Sequence, residues 1–61
     1  MKTRINYYTQ EKLHFVDIID EGGLILTSGI SDISKQDAHD GAIKILSEFG
    51  HGYTYRNILS K

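Results

Sequence analysis

Apolar and polar residues alternate over residues 3–9 (T-R-I-N-Y-Y-T), where Ile5 and Tyr7 are set against Arg4 and Asn6. This is the period-two pattern of a strand. Gln10, Glu11 and Lys12 make a polar break of hairpin length, and residues 13–19 (L-H-F-V-D-I-I) predict a second strand. Asp20-Glu21-Gly22-Gly23 is a strong turn, with two glycines available for positive φ. Residues 24–28 (L-I-L-T-S) predict a third strand that ends at Gly29. Strands joined this tightly form an antiparallel meander.

The period then changes. Ala38, Ala42, Ile45, Leu46 and Phe49 recur at intervals of four, three, one and three, the apolar stripe of a helix over about residues 35–49. Ser34 followed by Asp37 provides the cap, a loose capping box with Asp in place of Glu or Gln. Gly50 is placed to close the helix, and Gly41 within it marks a point where another segment can come close. Residues 53–59 (Y-T-Y-R-N-I-L) predict a fourth strand. The expected fold is α+β, a single domain over residues 1–61. Its small, mostly antiparallel four-stranded sheet runs β-β-β-α-β in sequence, with one helix packed on one face.

That arrangement contains a mismatch. One helix covers one sheet face, and the other face of an antiparallel sheet is then normally polar. Here Val16 and Ile18 point opposite to Leu13, Phe15 and Ile19, and Ile25 points opposite to Leu24 and Leu26. Both faces of the central strands are therefore apolar. A β-bulge near Phe15-Val16 would switch the phase and hide some of these side chains, and the chain ends could fold over others. The preferred reading is that the second face docks on another copy or on another protein. The residues expected at the contact are Tyr8, Val16, Ile18, Ile25 and Arg56, with His14 nearby.

Size points the same way. For 61 residues, burial of apolar surface contributes on the order of 90 kcal/mol and ordering the chain costs about the same. Disulfides, a metal or self-association usually rescue such a chain. Cysteine is absent, and His14, His39 and His51 show no short ligand spacing, so neither a metal nor another cofactor is expected. Self-association remains, and a homodimer is the expectation. Ile, Leu, Val and Phe occupy 17 of 61 positions, too many for a disordered chain of net charge −1. No apolar run approaches the ~20 residues of a membrane span and no leader segment is visible, so a cytoplasmic protein without membrane contact is expected.

Charge is uneven along the chain. Residues 1–16 carry three basic groups and one acidic, residues 17–40 one basic and six acidic, and residues 41–61 three basic and one acidic. If the first and last strands are neighbours, Arg4, Arg56, Tyr53 and Tyr55 gather into a stacking platform for single-stranded nucleic acid, the alternative function. Against it, there is no basic stripe to supply phosphate contacts. Ser28, Ser31 and Ser34 lie near the helix start, but no nucleophile elbow, phosphate loop or metalloprotease motif accompanies them. No catalytic residue is assigned and no enzyme activity is expected. The function expected first is that of a small regulator or inhibitor of a protein partner, acting through an exposed sheet face or edge strand.

A strand meander followed by a capped, Ala-containing helix over residues 34–49 is similar to HicB-type antitoxins. The compact order of elements also resembles certain small phage inhibitors of host RNA polymerase. The Pro-containing strand-end motif of the antitoxins is missing, since the chain has no proline. Topology does not carry function, and no membership follows from it.

Overall fold

A computed structural model describes residues 2–58. It contains β1 (Arg4–Gln10), β2 (Leu13–Ile19), β3 (Ile25–Ser31), α1 (Lys35–Phe49) and β4 (Thr54–Asn57). The strands form one sheet in the order β1-β2-β3-β4, and the helix lies on one face, so the α+β arrangement and the element order are as expected. Among the described residues, no helix is long and apolar enough to cross a membrane.

Two tight turns set the antiparallel half. Gln10 pairs with Leu13, which leaves Glu11 and Lys12 as a two-residue loop. Both adopt left-handed backbone conformations, with φ of 51° and 68°. That geometry matches the twist of a hairpin but is unfavourable for residues carrying a Cβ. At the second turn the Asp20 carboxylate accepts hydrogen bonds from the Gly22 and Leu24 amides, both at 2.9 Å. Gly23 takes the left-handed position there, with φ of 90°.

β3 extends beyond the expected end at Ser28 and runs through Gly29 to Ser31. Gly29 is not a terminator. A Cβ there would fall on the Ala38 carbonyl oxygen, so the missing side chain is what lets α1 lie against the sheet. The helix reciprocates with Gly41, where a Cβ would enter the ring of Tyr55. Ala38, Gly41 and Ala42 are its buried residues, and they close over Val16, Ile18 and Leu26 to form the core, with Leu46 packed alongside. Ser34 caps the helix by accepting from the Asp37 amide at 3.0 Å, and the Gly50 amide donates to the Leu46 carbonyl at 3.0 Å at the other end.

β4 runs parallel to β3, pairing Ser28 with Thr54 and Ile30 with Arg56. A helix between two neighbouring strands carries the chain back to where the first began, and a parallel pair results. β4 is also shorter than the expected strand over residues 53–59, and residue 59 lies outside the described residues.

The phase change in the sheet occurs at Ile18-Ile19 rather than at Phe15-Val16. Ile18 pairs with Thr27 but Ile19 pairs with Ile25, so Leu26 is the extra residue of a bulge. Consecutive residues Leu26 and Thr27 are thereby both buried, at 8% and 2% exposure, while Ile25 is turned out at 53%.

Candidate interaction face

Strand register decides which residues share a face, because directly paired positions point the same way. The two-residue loop fixes Tyr8 opposite Phe15, Phe15 pairs with Ile30, and Ile30 pairs with Arg56. These four cross the whole sheet in one row on the side away from α1. The Tyr8 and Phe15 rings are stacked, with centroids 4.7 Å apart and planes 2° from parallel. The next row on that face is polar, running Asn6, Asp17, Ser28, Thr54. Its centre is closed by the Ser28 hydroxyl donating to Asp17 Oδ1 at 2.8 Å. Beyond it, Ile19 and Ile25 form a second apolar group beside Arg4. Phe15, Ile19 and Ile30 are half-buried by their neighbours, and Tyr8 and Ile25 are exposed.

The residues expected at the contact are split between the two faces. Tyr8, Ile25 and Arg56 lie on the open face. Val16 and Ile18 do not: their relative exposures are 0% and 2%, and they form the floor beneath α1. His14 pairs with Thr9 and Ser31 and so lies on the helix side as well. The alternation in β2 was read correctly, but the helix covers the other set. Val16 is paired with Gly29, the one position low enough for a helix backbone to approach, so α1 closes over Val16 rather than over Phe15. Phe15, Ile30, Leu13 and Ile19 were thereby missed. Gln10 belongs to β1 rather than to the polar break, so the turn has two residues, Glu11-Lys12, and pairs 10 with 13 and hence 8 with 15.

The four residues of the nucleic-acid reading do not assemble. β1 and β4 are opposite edges of the sheet, so Arg4 and Arg56 are three strand spacings apart across it, about 14 Å, and lie in different rows along it as well. Tyr55 is on the helix side against Gly41, and Tyr53 packs on Phe49 with ring centroids 5.6 Å apart.

Polar chemistry on the helix side is concentrated at Asp37. Its Oδ2 accepts from the Ser31 hydroxyl at 2.7 Å, from Asn57 Nδ2 at 2.8 Å and from the Tyr55 hydroxyl at 3.3 Å. The Ser31 hydrogen bond, then that of Asn57, holds the carboxyl below its ordinary range, with desolvation acting against them. Desolvation first, then the Asp37 charge, pushes the Tyr55 phenol up. All three donors are neutral and belong to β3 and β4, so this carboxylate staples the start of α1 to the parallel strand pair. Such an arrangement locks structure.

A half-open cleft of about 580 Å3 lies at the other end of α1, between Leu24, Leu26, Leu46, Asp20 and His51. Asp20 Oδ1 is already taken by the turn amides. Among the described residues, no group of three His, Cys, Asp or Glu is placed to hold a metal ion. Comparison with protein-family models, with curated proteins and with solved structures finds no match to this chain.

Proposed function

We propose that the chain is a small, non-enzymatic cytoplasmic module that regulates or inhibits a protein partner through its open sheet face. One observation carries this reading: among the described residues nothing packs over the row Tyr8–Phe15–Ile30, ending in Arg56, whereas α1 covers the core on the opposite face. A stacked aromatic pair beside an arginine is the composition of interface anchors, and anchors of this kind dominate binding energy. The polar row beside it fixes register on the partner through hydrogen bonds. The chemistry at Asp37 supports the same reading by its content, because every group there is engaged in holding α1 to the sheet.

The test is paired capture from the native cell with wild-type protein and with Phe15→Asp or Ile30→Asp, each first shown to be folded by circular dichroism. The partner should bind the variants about 30-fold more weakly, as for a central anchor. Affinity should hardly change between low and high salt, in contrast to a phosphate-binding surface. Equal retention by wild type and both variants would remove the open face from the interaction.

A further inference from the structure

The two edges of the sheet are built differently. β4 has four residues and carries Arg56, which is how natural sheets blunt an edge. β1 has seven residues, all exposed, paired with β2 in unbroken register and with no described strand on its other side. It contains no proline, no lysine and no bulge, and Arg4 is its single charge. The helix packs on β2, β3 and β4, and reaches β1 at Tyr7, whose ring lies 4.6 Å from Lys35 Nζ. Ile5, Tyr7 and Tyr8 are left 40%, 43% and 46% exposed. A strand of this kind is a template for another strand.

We propose that β1 pairs antiparallel with β1 of a second copy, about a two-fold axis through Asn6, to give a continuous eight-stranded sheet. The occupant follows from the strand's own sequence. A two-fold axis normal to the sheet keeps each face on its own side, so even-numbered residues oppose even and odd oppose odd. Centred on Asn6, this places Ile5 opposite the partner's Tyr7 on the helix side, a β-branched–aromatic pair. On the open side it places Arg4 opposite the partner's Tyr8, a cation against an aromatic ring. Each pair occurs twice, and no like charges meet. Centred on Tyr7 instead, Ile5 would face Thr9, Asn6 would face Tyr8, and Lys2 would approach Lys12 of the other copy. The Asn6 register is the self-complementary one. This proposal deepens the interaction reading but uses the edge rather than the open face, which stays uncovered and doubles in width, so the two fail separately.

The chain has no cysteine, so Asn6→Cys is a clean reporter. Directly opposed Cα atoms in an antiparallel pair are about 4.5–5.5 Å apart, within the span that a disulfide bridges. Asn6→Cys should oxidise to a covalent dimer, and Tyr7→Cys should not. In sedimentation from about 1 µM to 1 mM, the wild type should pass from monomer to dimer. Ile5→Lys, a gatekeeper substitution at an exposed site, should raise the dissociation constant at least about tenfold, while Ile30→Asp, two strands away from β1, leaves it unchanged. A wild type that stays monomeric across that range overturns the proposal. So does a dimer dissolved by Ile30→Asp but not by Ile5→Lys, and cross-linking through Tyr7→Cys in place of Asn6→Cys overturns the register.

Discussion

The two faces of this sheet carry similar amounts of apolar side chain and meet opposite fates. Beneath α1 the groups are small and enclosed: Val16, Gly29, Ala38 and Ala42, with Ile18 beside them. On the other side the groups are larger and less enclosed: Phe15, Ile19 and Ile30 are half-buried and Tyr8 is exposed. Hydrophobicity alone would have favoured covering the aromatic side. What decides is how near a helix backbone can come, and only the face with Gly29 lets the Ala38 carbonyl reach the strand. Close approach recruits dispersion contacts along the whole element, whereas a few large rings would hold the helix off.

The sharpest way to break this comparison is to close the approach. Gly29→Ala should cost at least about 3 kcal/mol in urea unfolding, because the obstacle is helix backbone rather than a flexible side chain. A loss under about 0.5 kcal/mol, within the scatter of surface substitutions, would mean the helix is not seated by that contact. Next in size is a pair on opposite faces. Ile18→Ala should cost about 3 kcal/mol, and Ile25→Ala about 0.5 kcal/mol; similar values for the two would erase the distinction between faces.

The Asp37 cluster gives a smaller effect and a pH signature. Ser31→Ala takes a buried hydroxyl, the closest donor, away from the half-buried Asp37 carboxylate and should cost about 1–2 kcal/mol. Because the Asp37 pKa is lowered on folding, its contribution is present above the ordinary carboxylate range and is lost as pH falls through the folded value. The stability gap between wild type and Asp37→Asn should therefore narrow below about pH 4. A gap that stays constant on acidification would show that the carboxylate charge contributes nothing. Tyr55 works in the other direction, since its raised pKa makes the fold lose stability as pH rises past the ordinary phenol range. Smallest is the first turn. Lys12→Gly relieves a left-handed residue and should add about 1 kcal/mol, and a destabilised variant would show that Lys12 is held there by something other than the turn.

Much of the architecture can be read from residue order. The helix over residues 35–49 follows from the spacing of Ala38, Ala42, Ile45 and Leu46, and both hairpins follow from their turn residues. The direction of β4 was readable too, since a strand–helix–strand passage between neighbours implies a parallel pair. The choice of covered face was harder. β2 is apolar at both parities, so alternation cannot rank Val16 and Ile18 against Phe15 and Ile19. The deciding residue, Gly29, looks like a strand end when the chain is read locally. Its meaning appears only when it is set beside Val16 in register and beneath Ala38 in space. The candidate site was accordingly half legible: Tyr8, Ile25 and Arg56 stand on the open face, but the row that joins Tyr8 to Arg56 needed the register across all four strands.

The polar row through Asp17 and Ser28 divides the open surface into two greasy islands with a hydrated seam between them. Neither island is broad enough to cling indiscriminately to any oily object in a crowded cell. A visitor that is oily throughout would strip water from the Asp17 carboxylate and offer nothing back, a penalty that excludes it. If the open face is the contact we propose, discrimination is thus written into the least sticky strip of the molecule.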